Sequence, residues 1–94
     1  MLVMLYMFEV PAEKHSEYIK ATAETIKPFW ESHGCNSYTI WQAADGGTSF
    51  IKPMVWDDMA AMEKGREVPE GKAIVDLFYS FAQNVVRKVY IQKA

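Results

Sequence analysis

Leu2-Val3-Met4-Leu5-Tyr6-Met7-Phe8 is apolar without interruption and ends against Glu9 and Pro11. The run has the length of a strand and is far too short to span a membrane. A strand with one wet face would alternate polar and apolar residues; this one does not, so both of its faces must be covered. No basic segment precedes it, which argues against a targeting signal. Whatever fold forms around this strand must supply two covers.

Beyond it the period changes. Ile19, Ala23, Ile26 and Trp30 recur at spacings of three or four, with Glu13, Lys14, Glu17, Lys20, Glu24 and Lys27 largely off that stripe, the pattern of an amphipathic helix. Pro28 lies inside the pattern and should kink it or start a new turn, and Gly34 supplies a left-handed C-cap. Asn36 to Ala43 is rich in strand-forming residues, Asp45-Gly46-Gly47 is turn chemistry, and Thr48 to Trp56 is extended again; together they predict a hairpin. Asp57 or Asp58 caps a helix from Met59, Val68-Pro69-Glu70-Gly71 interrupts it, and a second piece runs from Ala73 with Ile74, Leu77, Phe78 and Phe81 inward. Val85 to Gln92 is a β-branched closing strand.

The chain of 94 residues is one domain, 1–94, by length, with half its residues hydrophobic and 14% aromatic. That excludes intrinsic disorder. A net charge of −2 with no Lys/Arg cluster argues against nucleic acid. The lone cysteine, Cys35, gives no sign of an oxidising compartment, so a cytoplasmic location is expected, with no membrane association.

Two helices and four strands in the order β-α-β-β-α-β predict an α+β, ferredoxin-like sheet of strand order 4-1-3-2, antiparallel in type, with right-handed crossovers that put both helices on one face. The opposite face then presents either Leu2, Met4, Tyr6 and Phe8 or Val3, Leu5 and Met7, and both sets are apolar. A patch of that size is rare on monomers. A second copy packed sheet to sheet would cover it, so a homodimer is expected. Pro53, in a strand that should be central, calls for a bulge or break.

The arrangement resembles the dimeric α/β-barrel superfamily, which includes the antibiotic-biosynthesis-monooxygenase-like proteins. The resemblance rests on Val55-Trp56-Asp57-Asp58-Met59-Ala60-Ala61, similar to the family's strand-end tryptophan, acidic cap and small-residue helix start, and on the helix followed by Gly34-Cys35 and a strand containing Tyr38. It implies a homodimer with a pocket between helices and sheet in each protomer. Members include cofactor-independent monooxygenases, haem-degrading enzymes and small-molecule isomerases, besides proteins with no known activity. The haem-degrading branch uses an Asn on the first strand with a Trp and a His on the second helix. Here the first strand has no Asn, and residues 57–84 contain neither Trp nor His.

For chemistry, His33-Gly34-Cys35 places an imidazole near a thiol, but no metal-binding motif accompanies it and no metal is expected. A helix-terminal histidine and a buried cysteine explain the pair as well. His15, in a helix's first turn, reads as solvated. Tyr6, Tyr38, Trp41, Trp56 and Tyr79 are the candidate contacts for a small apolar or aromatic ligand, Trp56 serving equally as a strand-end anchor. Lys52, Arg87 and Lys88 are either solvated edges or contacts for an anion. The leading expectation is a cofactor-free, monooxygenase-like protein acting on an aromatic substrate that supplies its own electrons, with His33 as the candidate base and no cofactor. The alternative is a non-catalytic ligand sensor or assembly module.

Overall fold

The computed structural model describes residues 1–94. Strand β1 (Leu2–Glu9) leads through a 3-10 turn at Ala12–Lys14 into helix α1 (His15–Ala21), a π-helical turn (Thr22–Ile26) and helix α2 (Lys27–Glu31). Short strands β2 (Ser37–Tyr38) and β3 (Trp41–Gln42) precede the long strand β4 (Ser49–Trp56). Helices α3 (Met59–Arg66) and α4 (Gly71–Phe81) follow, and β5 (Gln83–Ile91) closes the chain. The sheet runs β2-β4-β1-β5, with β3 also paired to β4 and every pairing antiparallel. The fold is α+β and ferredoxin-like, and β1 lies inside the sheet as its unbroken apolar run requires.

One parity of the sheet is the core. Leu2, Met4, Tyr6 and Phe8 of β1 and Phe50, Lys52, Met54 and Trp56 of β4 are buried beneath the helices. Aromatic edges knit the layers together: Phe8 meets Tyr18 and Phe78, and Tyr6 meets Phe78, with centroids 5.0–5.9 Å apart. The other parity, including Val3, Leu5, Met7, Ile51, Pro53, Val55, Val86 and Tyr90, has no layer over it.

Pro53 leaves its own strand intact and breaks its neighbour instead. Thr39 N–H donates to the Pro53 carbonyl at 3.4 Å, but Pro53 has no N–H to return. The expected second strand is therefore split into β2 and β3 around Thr39-Ile40, although Tyr38 opposite Met54 and Trp41 opposite Ile51 keep one register. On its other side Pro53 faces Leu5 with the β1–β4 ladder continuous.

The first helix buries a different stripe from the expected one. Tyr18, Thr22, Ile26 and Trp30 face the sheet at a constant spacing of four, while Ile19 and Ala23 are exposed. The π turn supplies the cause: each turn there takes an extra residue, so the inward face advances by four where an α-helix would average 3.6. The turn ends at Ile26, and Pro28 sits in the first turn of α2, where a missing N–H costs little.

The remaining local signals act as expected. Gly34 is left-handed at φ 99°, Asp58 caps α3 by accepting from the Ala61 N–H at 2.8 Å, and Asp45 Oδ1 accepts from Gly47 N–H in the hairpin turn. His15 is not simply solvated: its Nε2–H donates to the Val10 carbonyl at 2.7 Å and its ring meets the edge of Phe50.

Candidate ligand cavity

A cavity of about 80 Å³ opens between the sheet and the helices that cover it. Period-two geometry builds its floor. Met4 and Tyr6 come from β1, Lys52 and Met54 from β4, and Trp30 and Phe78 close it from α2 and α4. The exposed side chains of Arg66, Val75, Tyr79 and Arg87 form its rim. Sheet register puts the polar members in a row, since Tyr6 faces Lys52 on one side and Arg87 on the other. Neighbouring strands lie ~4.8 Å apart, so three adjacent strands present amine, phenol and guanidinium in line.

Lys52 is the unusual member. Only 4% of it is exposed, and its Nζ lies 3.7 Å from the ring centroids of both Tyr6 and Phe78 and 5.2 Å from that of Tyr38. No hydrogen-bond acceptor and no carboxylate meets it; the chain's ion pairs are Lys27–Glu31 and Lys72–Asp76, both elsewhere. Burial, and the Arg66 guanidinium in addition, pull its pKa down to about 7. The ring faces favour the charged form and hold the amine in place by cation–π contact. The chain has only two arginines, and both stand at the rim of this one cavity without a carboxylate partner. An apolar chamber whose only charged groups are cations is a site for an anion.

Of the residues singled out in the sequence, Tyr6 and Tyr79 line the cavity. Tyr38 is fully buried behind it, with an unpartnered hydroxyl and a pKa pushed well up by burial. Trp56 is fully buried and packs under Gly65 of α3, where a Cβ would come within 2.6 Å of its ring. Its place is the strand-end anchor. Trp41 is 59% exposed and sits on β3 opposite Ile51, on the uncovered side of the sheet. His33 caps α2, its Nδ1 held by the Phe29 carbonyl at 2.8 Å, and borders a separate groove. Cys35 is buried with its thiol pushed up by burial and bonded to the Ser37 carbonyl, so it is no activated thiolate. No cluster of three His, Cys, Asp or Glu side chains could hold a metal ion.

Sequence reasoning weighed Lys52 and Arg87 only as edges or anion contacts and passed over Arg66. The signal for Lys52 was its phase: Phe50, Lys52, Met54 and Trp56 share one parity of β4, so a lysine stands where the neighbours are core.

Residues 1–77 match the family model for antibiotic biosynthesis monooxygenase. The chain belongs to this family. Solved structures agree on the fold. SnoaB, a cofactor-independent oxygenase from Streptomyces nogalater, superposes with a TM-score of 0.78 at 14% identity, over 99% of this chain and 93% of that one. A conserved protein from Methanosarcina mazei gives 0.80 at 17% identity, over 98% and 92%. Rv0793 from Mycobacterium tuberculosis gives 0.76 at 17% identity, over 99% and 95%. No curated protein matches the chain. At these identities the likeness of this antibiotic biosynthesis monooxygenase family member to solved structures is one of fold. No helix is long and apolar enough to cross a membrane.

Proposed function

We propose that this family member is a homodimeric, cofactor-independent monooxygenase whose substrate is a small, acidic aromatic molecule. The carrying observation is the unpaired Lys52 amine in a ring-lined cavity rimmed by Arg66 and Arg87. A substrate that reduces dioxygen itself must first become an anion, a phenolate or enolate. Lys52, near half-charged at neutral pH, suits both stages: the free amine accepts the substrate's proton, and the resulting ammonium pairs with the anion. The anion gives its electrons to dioxygen, a C–O bond forms at a ring carbon, and the peroxide loses water, so that the CH₂ of the substrate's keto tautomer and O₂ become C=O and H₂O. Apolar walls keep bulk water from quenching the anion.

The cavity also sets size. It is well below the ~300 Å³ of sites for drug-sized ligands, so it takes about one ring unless the rim residues move. The family and the SnoaB likeness support the oxygenase reading; the dimer is supported by the uncovered apolar face.

Oxygen uptake with single-ring hydroquinones, corrected for autoxidation, tests it. Uptake that falls at least tenfold in Lys52→Met is expected. Binding without uptake would favour a ligand sensor, and no binding by any such phenol would overturn the reading.

A further inference from the structure

We propose that Lys52 forms a reversible imine with a small carbonyl compound that also carries a carboxylate, which Arg66 and Arg87 hold at the rim. The inference rests on the cavity being an anion-binding ligand site, as above, but not on oxygenation. A lysine nucleophile needs a free lone pair, a dry surrounding and a route for the electrophile. Lys52 Nζ is engaged by no hydrogen-bonding partner, is flanked by the faces of Tyr6 and Phe78, and lines an open cavity. An ordinary surface lysine is less than about 0.1% uncharged at neutral pH. Lys52, with its pKa near 7, has a large uncharged fraction there. Desolvation and a neighbouring cation are the two established means of activating such an amine.

The step balances within the site. The nitrogen lone pair attacks the carbonyl carbon, the C=O π pair moves to oxygen, and a proton passes from nitrogen to oxygen to give the carbinolamine. Loss of hydroxide and of the second N–H proton, together one water, leaves the C=N bond. No oxidant or reductant is consumed. The carboxylate supplies the counter-charge that the cavity lacks: no acidic side chain lines it, while both arginines border it. A neutral aldehyde would leave those cations unanswered. The floor accommodates the carbonyl and roughly one ring, and the carboxylate lies outward, where Arg66 and Arg87 are exposed.

The test uses the whole protein with 4-carboxybenzaldehyde and cyanoborohydride at pH 7, followed by peptide mass spectrometry. The other seven lysines are exposed or half-exposed and serve as the internal reference, so no variant has to fold. Labelling of Lys52 at least tenfold above their mean is expected, with the preference reduced severalfold for benzaldehyde and suppressed by excess 4-(hydroxymethyl)benzoate. Labelling of Lys52 no greater than at the surface lysines overturns the imine. In that case, calorimetric titration with 4-(hydroxymethyl)benzoate separates the causes. If it binds, only the nucleophile is lost; if it does not bind, the anion-site reading falls as well.

Discussion

Lys52 makes the protein's stability depend on pH in a direction that can be worked out. Its pKa falls from 10.5 to about 7 on folding, so between those values the unfolded chain holds a proton that the folded chain has released. Stability therefore rises with pH through that window, by up to about 5 kcal/mol at ~1.36 kcal/mol per unit, an upper bound that cation–π contact reduces. Cys35, Tyr18 and Tyr38 act in the opposite sense. Burial raises all three, so the unfolded chain sheds these protons first, above about pH 9 for the thiol and 10 for the phenols, and stability falls there. The maximum is expected near pH 9, where the loss at the thiol begins to cancel the gain at the amine. Urea unfolding at pH 6, 7.5 and 8.5 should show the rising limb in the wild type and its loss in Lys52→Met, which should also be more stable at pH 6. A wild-type profile flat over that range would refute the assignment. Gly65 offers a second check, because a Cβ there would lie 2.5 Å from the His33 carbonyl oxygen and 2.6 Å from the Trp56 ring. Alanine gains up to about 1 kcal/mol in helix propensity, but a backbone carbonyl cannot step aside, and overpacking costs about 1–3 kcal/mol. The clash wins, and Gly65→Ala should lower the thermal midpoint by several degrees.

Strands and helices show where sequence patterns stop. The uncovered ladder position opposite Pro53 predicts the outcome of Pro53→Val. A restored N–H can donate to the Thr39 carbonyl and join β2 to β3, contributing about 1 kcal/mol. Loss of proline loosens the unfolded chain by about 0.4–1 kcal/mol in the other direction. Overall stability should change little, while the amide that the substitution introduces becomes protected from hydrogen exchange; an unprotected amide would mean that proline is not what splits the strand. The strand break at Pro53 was legible because a missing donor is a covalent fact, though it fell on the neighbour and not on β4. The cap at Asp58, the left-handed Gly34 and the interrupted second helix were legible for the same local reason. The inward stripe of the first helix was not, because the π turn shifts its phase and leaves no mark in an α-helical period. Nor was the sheet's inward parity: Ile51, Pro53 and Val55 look as suited to a core as Phe50, Met54 and Trp56. Lys52 stayed ambiguous until the helices chose a side, and with it the centre of the candidate site.

At the scale of the molecule, the chain is a slab of 37 × 32 × 19 Å, one helical layer on one sheet, and its bare face is as apolar as a core. Leu5 and Val3 lie at its centre, Ile51 and Val86 beside them, and Tyr90 is 45% exposed. β5 is poorly covered on either side, with Val89 and Ile91 also exposed on the helical parity. Contiguous apolar surface of this kind belongs to an interface. A second copy is the expected occupant, because a twofold contact sets the same apolar face against itself and Lys88 is the lone charge on its central rows. Sedimentation at tens of micromolar should therefore give the dimer mass. Leu5→Lys would bury an unpaired charge at about 3–5 kcal/mol per side chain, weakening association by at least a hundredfold at ~1.4 kcal/mol per decade. The helical parity of the sheet, and with it the Lys52 cavity, faces away from this surface, so the monomeric variant should keep its circular dichroism and its Lys52 chemistry. A wild type that sediments as a monomer would refute a second copy as the cover of this face, and the variant would then show no change in mass.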